Sequence, residues 1–287
     1  MKTSQSLLGG AAALVVGLLI GLAGSHRGQT VGGIGLFLLL VIVAYVVQWA
    51  VYVPSYLNRT EHFFDLTGSL TYQGIAVLGF VLASERDART VILTLMILVW
   101  AMRLGFFLFQ RVRAAGKDSR FDKMKHDWAQ FLMTWTIQGL WITFTAGAAL
   151  AAITTEERSS LGVIGIIGIV VWAIGFGTEV IADRQKSAFR ADPANQGRYI
   201  TTGLWSRSRH PNYLGEVVIW LGVAILAFPV LQGWQYVTLI SPVFVYLLLT
   251  RISGLPMLER SADKRWGGEP EYEAYKQATP AFFPRLF

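Results

Sequence analysis

The chain has 287 residues, of which 53% are hydrophobic and only 15% charged, with a mean hydropathy of +0.46. That balance excludes an ordinary soluble domain and suits a polytopic membrane protein. The formal net charge of +7 asks for a topological or ligand-binding reason, and the absence of cysteine rules out disulfides, cysteine-ligated zinc and thiol catalysis.

A spanning helix needs roughly 20 mostly apolar residues to cross about 30 Å of hydrocarbon. Eight runs are candidates, near 6–23, 31–53, 65–84, 90–110, 129–153, 161–182, 213–229 and 235–253. They predict an all-α integral membrane protein, a polytopic helical bundle of seven to eight transmembrane helices with a cytoplasmic C-terminal tail. The first run follows Lys2 and has the outline of a secretory signal, yet later spans anchor the chain in any case. In the second, Tyr45, Gln48 and Tyr52 recur at i, i+3 and i+7. A polar face in a membrane turns inward, so these three are candidates to line a pocket for an apolar molecule with one polar end. The third run is the weakest, interrupted by Asp65 and Gln73; Glu61 and Asp65 stand one helical turn apart at its head. The fourth carries Trp100 and, three residues on, Arg103. Tyr72, Trp135, Gln138 and Trp141 extend the same candidate pocket.

The sixth run ends in a stripe of Glu179, Asp183, Lys186 and Arg190, spaced by four, three and four residues. It is either a self-neutralising helix end or a wall that offers acids to hydroxyls and amides and bases to phosphates. The stretch SRHPNYLGE, residues 208–216, follows. Pro211 keeps His210 out of the helical region and predicts a helix start there. Asn212 and Glu216 then share one face, at the positive end of the helix. The seventh and eighth runs are separated only by Pro229 and the residues to 234, as a tight hairpin or one bent element. The tail from Glu259 alternates charge with Trp266, Tyr272 and Tyr275, either as a solvated amphipathic helix or as a cap over a planar, phosphorylated ligand.

The bases are unevenly spread. Arg111, Arg113, Lys117, Arg120, Lys123 and Lys125 follow the fourth run, and Arg184, Lys186, Arg190, Arg198, Arg207 and Arg209 surround the end of the sixth. Arg251, Arg260, Lys264, Arg265, Lys276 and Arg285 lie in the tail. The positive-inside rule places both termini and both basic loops in the cytoplasm, which eight spans satisfy. Two glycine series, Gly32-Gly33-Ile34-Gly35 and Gly162 through Gly165 to Gly168, look like fragments of a nucleotide fingerprint. Neither follows a strand, and close helix packing is the expected reason for both. The four histidines have no metal-ligand spacing, so no metal is expected.

Gly175-x₃-Glu179-x₃-Asp183-x₆-Arg190, Tyr199-x₃-Gly203-Leu-Trp205 and the run from Arg209 to Glu216 resemble the C-terminal half of the steroid 5α-reductase family. Ile137-Gln138-Gly139 is similar too, and the resemblance covers roughly residues 60–287. The first span looks additional to that family's seven. The resemblance implies an NADPH-dependent reductase that saturates the C=C bond of an enone lipid, such as a Δ4-3-ketosteroid. It also implies that residues 1–127 enclose the substrate and 128–287 hold the cofactor, within one continuous membrane domain. Asp183, Arg190, Tyr199 and Asn212 fall on cofactor-contacting positions, joined by Glu216 and Arg251. Lys186, Arg209, His210, Glu259 and Arg103 complete the candidate cofactor set. Tyr45, Gln48, Trp100 and Gln138 are the candidate substrate contacts.

At the chemical end the family's Gln-Glu pair aligns with Phe64-Asp65, and its ketone-polarising tyrosine aligns near Trp100. The acid role therefore falls to Asp65, Glu61 or Tyr52, with Tyr45 as a further candidate. Isoprenylcysteine methyltransferases and sterol reductases share a related Arg-His-Pro segment, so an S-adenosylmethionine-dependent membrane methyltransferase is the alternative. A transporter or lipid-binding scaffold is the third reading. The expected partners are a hydrophobic small molecule and membrane lipid, with no nucleic acid.

Overall fold

The computed structural model describes residues 2–115 and 118–284; Lys117 and Arg285, and the side chain of Arg111, lie outside the described residues. Helices dominate: α1 Thr3–Gly24, α2 Leu36–Leu57, α3 Phe64–Leu82, α4 Ala88–Ala115, α5 Trp128–Thr154, α6 Gly162–Ala191, α7 Pro211–Ala227, α8 Ser241–Leu247, α9 Leu255–Trp266 and α10 Pro270–Ala278. This is the arrangement that hydrocarbon demands, because a helix satisfies its backbone polar groups internally. Among the described residues seven helical stretches are long and apolar enough to cross a membrane. The protein is a multi-pass all-α bundle. The third run does form a helix, α3, but it is not among the seven, since Asp65, Gln73 and several hydroxyls dilute it. The last two runs are separate elements, divided at Leu231 and Gln232, which are both extended.

The chain forms two compact units, Met1–Gly165 with Val223–Ser241, and Ile166–Gly222 with Pro242–Phe287. In the first, α5 is the central helix: its most apolar window is 78% buried, against 22% for α1. Asp127 starts it by accepting hydrogen bonds from Ala129 N and Gln130 N, both at 3.0 Å. Helices α1, α2 and α3 pack on it. Thr71 of α3 and Thr136, Thr143 and Thr154 of α5 each donate to the carbonyl four residues earlier.

The opening glycine series corrects one expectation. Gly32 and Gly33 are not helix-packing residues. They form the two-residue turn of a short antiparallel hairpin that pairs β1 Thr30–Val31 with β2 Ile34–Gly35. Their φ values of +57° and +81° are the reason glycine stands there, and a side chain at either would meet nothing. Gly165, by contrast, does pack closely, against Leu161 and Leu226.

Candidate functional site

Glycines also set the geometry of the second unit. A Cβ added at Gly175 of α6 would lie 2.5 Å from Ile219 N and 2.8 Å from Gly215 O. One added at Gly215 of α7 would lie 2.7 Å from Glu179 N. Gly222, seven residues further along, presses on the backbone of Gly168 and Trp172, so the two helices touch main chain to main chain over two turns. This contact brings the end of α6 against the start of α7, which Pro211 opens as expected. Asn212 Nδ2 donates to Asp183 Oδ1 at 3.1 Å, and both Asp183 and Glu179 are buried. One turn beyond Asp183, Lys186 Nζ lies 4.4 Å above the Trp205 ring; a further turn on, Arg190 is exposed. Glu216 is partly buried one turn along α7 from Asn212.

The segment after α6 folds back onto it. Trp205 Nε1 donates to Ala182 O at 3.1 Å and Leu204 N to Gln185 Oε1 at 3.0 Å. Gly203 makes the necessary turn with φ +62°, directly over the Gln185 side chain. Tyr199 is thereby set among three tail aromatics, with ring centroids 5.4 Å from Trp266, 5.0 Å from Tyr272 and 5.6 Å from Tyr275. Trp266 Nε1 donates to Gly197 O at 2.6 Å and Tyr275 Oη to Trp205 O at 2.6 Å. Burial pushes the Tyr275 hydroxyl up to about 12, so it remains a donor at neutral pH. The tail is thus docked rather than a freely solvated helix.

Arg209 and His210 are paired with the tail. Arg209 Nη2 donates to Glu259 Oε2 at 2.7 Å, and Arg209 Nη1 donates to the carbonyls of Thr279 at 2.8 Å and Lys276 at 2.9 Å. His210 Nε2 pairs with Glu259 Oε1 at 2.7 Å. Arg209, His210 and Glu259 therefore join the start of α7 to α9 and to the end of α10. Burial lowers the His210 pKa, against the raising pull of Glu259 and with help from Lys186 and Arg209. With Nε2 paired to Glu259, Nδ1 is a buried ring nitrogen with no hydrogen-bond partner among the described residues, and it is an acceptor whenever Nε2 is the donor. Such an atom suits a bound molecule that brings an N–H or O–H. Arg251 is exposed in a short π-helical stretch, Leu248–Ile252, ahead of Gly254.

The depressed His210 has a measurable consequence. Its unfolded form takes up a proton below about pH 6.5, where the folded form resists it, so stability is lost as pH falls from that point. Thermal unfolding in detergent at pH 7.5 and 5.5 is expected to show a drop at the lower pH for the wild type. The drop is expected to be smaller for His210→Gln, whose amide can still donate to Glu259.

In the first unit the candidate residues are mostly engaged with neighbouring helices. Tyr45 Oη donates to Ala13 O of α1 at 2.8 Å, and the ring fills the space over Gly17 and Gly139. Gln48 Nε2 donates to Thr71 Oγ1 at 2.9 Å and Gln138 Nε2 to Phe64 O at 3.1 Å. Tyr52 Oη donates to Trp128 O at 3.0 Å. Trp100 is buried, edge-on to Tyr72 with centroids 5.1 Å apart. The polar stripe of α2 does turn inward, but α1, α3 and α5 occupy it.

Glu61 is buried, bound by Lys125 Nζ at 2.7 Å and Asp118 N at 3.0 Å. Burial alone would raise its pKa; the hydrogen bonds from Lys125 and Asp118 outweigh that and hold it below the usual range. Arg120 Nη2 lies 3.7 Å from Asp65 Oδ2, and Arg120 is the more exposed of the two. Arg103 lines a groove of about 550 Å³ on α3 and α4 with Ser69, Gln73 and Phe106, in the first unit. Sequence reasoning missed Gln185 as the anchor of the returning loop and gave no partner for Tyr199. The aromatic spacing of the tail is the signal that could have found the second.

Comparison with known proteins places this geometry in context. The model of a family described as "Protein of unknown function (DUF1295)" matches residues 48–279. A protein of Ustilaginoidea virens named "Probable O-methyltransferase ustE" is 29% identical over 98 residues, which is 34% of this chain and 32% of that protein. "Uncharacterized protein C594.04c" of Schizosaccharomyces pombe is 24% identical over 243 residues, 73% of this chain and 66% of its own length. The chain thus spans about a third and just under two thirds of these curated relatives. No solved structure matches.

Proposed function

The chain belongs to the DUF1295 family, and on that premise we propose that it is an NADPH-dependent membrane reductase acting on the C=C bond of an enone lipid. The observation that carries this reading is the buried Asp183, hydrogen-bonded to Asn212, with Lys186 and Arg190 one and two turns further along the same face. Asp183 can accept from a ribose hydroxyl, while the two bases and the neighbouring exposed Arg184, Arg198 and Arg207 supply positive charge for phosphates. The free acceptor at His210 Nδ1 suits a carboxamide or hydroxyl donor. When bound, NADPH would supply the hydride for the β-carbon. The chain itself must then donate a hydrogen bond to the ketone oxygen and deliver a proton to the α-carbon.

For that proton, Asp65 is a better candidate than Glu61. Lys125 and Asp118 enclose Glu61, whereas the cation beside Asp65 is more distant and more exposed. Tyr52 and Tyr45 already donate to main-chain carbonyls. The site faces the cytoplasm in this reading, as the distribution of bases suggests.

The second reading, an S-adenosylmethionine-dependent methyltransferase, is favoured by the printed name of the Ustilaginoidea virens relative. It gives the bases no phosphate to hold. The two readings separate by ligand-induced thermal shift on the purified protein. NADPH is expected to raise the melting temperature, and Arg190→Ala to weaken its binding roughly tenfold or more, the loss of one charge-assisted hydrogen bond. A shift by S-adenosylmethionine with none by NADPH would overturn the reductase reading. With a Δ4-3-ketosteroid, Asp65→Asn is expected to stop NADPH oxidation while leaving NADPH binding intact.

A further inference from the structure

Helix α1 precedes the residues that match the family, and it holds a feature the proposed reaction does not use. Ser6 is fully buried, and its hydroxyl has no hydrogen-bond partner among the described residues. Ser55 shares that state, whereas Thr71, Thr94, Thr136, Thr143 and Thr154 all donate to the carbonyl one turn earlier. An unsatisfied buried hydroxyl costs free energy unless something meets it. Ser6 borders a cavity of about 250 Å³ in the first unit. Its walls are Leu7, Gly10, Ala11 and Leu14 of α1, Trp49 of α2, and Leu132, Met133 and Thr136 of α5.

The chemistry of the lining identifies the occupant. No charged side chain is among the lining residues, which disfavours a phosphate, a nucleotide or an ionised head group. Thr136 Oγ1 already donates to Leu132 O and accepts from Trp49 Nε1, leaving Ser6 as the available polar group. From Ser6 to Leu14 the slot runs about 12 Å along α1, polar at one end and apolar at the other. Two of its lining residues, Leu7 and Ala11, are exposed on a helix that is only 22% buried, so the apolar solvent of the membrane can reach it. Gly10 keeps it open: an added Cβ there would meet nothing closer than Met133 Cα at 3.7 Å. Met133, an unbranched and adaptable side chain, is the wall able to turn aside.

We propose that this cavity binds one acyl chain of a bilayer phospholipid, with the ester carbonyl accepting the Ser6 hydroxyl. The bound lipid fastens α1 to α5 at the ends where both helices begin.

The test is native mass spectrometry of the full chain, freed of lipid in detergent and titrated with 1-palmitoyl-2-oleoyl phosphatidylethanolamine or its diether analogue. The wild type is expected to bind one diester lipid ahead of all others. Gly10→Leu, which fills the slot, is expected to weaken that first binding at least tenfold. Ala11→Phe, at an exposed position where misfolding is not expected, should do the same. Ser6→Ala is expected to weaken the diester several-fold and to leave the diether unchanged. Undiminished binding in both filled variants overturns the proposal. So does equal wild-type binding of the two lipids, or a dimer that both filled variants abolish.

Discussion

Gly215→Leu is expected to leave no folded protein, and even Gly215→Ala is expected to lower stability by about 1–3 kcal/mol, the range for overpacking a close contact. The reason is what the new atom would meet. Its neighbours are Glu179 N at 2.7 Å and Gly175 O at 2.8 Å, main-chain atoms of a continuous helix that cannot turn aside as a side chain can. The same holds at Gly175, where the obstacle is Ile219 N at 2.5 Å. Separating α6 from α7 to make room would also break the Asn212–Asp183 hydrogen bond, so a surviving fraction is expected to have weakened binding of the proposed cofactor. Gly177 provides the control on the same helix. Nothing lies within 4 Å of a Cβ there, and Gly177→Ala is expected to be neutral or stabilising by roughly 0.5–1 kcal/mol. Thermal unfolding of the three variants in detergent checks the result, and a Gly215→Leu protein as stable as wild type would contradict the close-contact account.

Glu259→Ala is the second substitution expected to have a large effect, a loss of about 3–5 kcal/mol measured without any ligand. Glu259 receives Arg209 through two nitrogens and His210 through a third, and the partners are 14% and 7% exposed at their side chains. Removing the carboxylate leaves a largely buried guanidinium with its charge uncompensated, and that is where the cost arises. Arg209→Ala is expected to be similarly damaging, because it also releases the carbonyls of Lys276 and Thr279. The double substitution Arg209→Met with Glu259→Leu is expected to recover the part of the loss due to the unpaired charge, while the carbonyls of Lys276 and Thr279 stay without this donor. A double-mutant cycle on chemical or thermal unfolding measures the coupling directly. If instead both single variants unfold like wild type and fail only to bind cofactor, the triad holds ligand and not the fold.

The sequence and the structure differ most where an interaction joins residues far apart in the chain. Asp183, Lys186 and Arg190 share a face because helical spacing puts them there, and Pro211 starts α7 because its ring fixes φ and restricts His210; both are local facts. Glu259 as the partner of Arg209, 50 residues earlier, is not local. Neither is the way α1 supplies Ala13 O as the acceptor for the Tyr45 hydroxyl. Asp65 is legible as a carboxylate at the head of a helix, but Arg120, 3.7 Å from it, comes from the loop after α4.

The amino-acid sequence alone determined the helical, membrane-spanning class and the stripe of acids and bases at the end of α6, because apolar run length and helical period are properties of consecutive residues. Only the tertiary structure decided that Gly32 and Gly33 turn a hairpin, that Gly175 and Gly215 bring two backbones together, and which ions pair. A glycine's role depends on the φ it adopts and on what stands where its side chain would be, and a charge's role depends on its nearest opposite charge. Both are set by packing between segments distant in the chain.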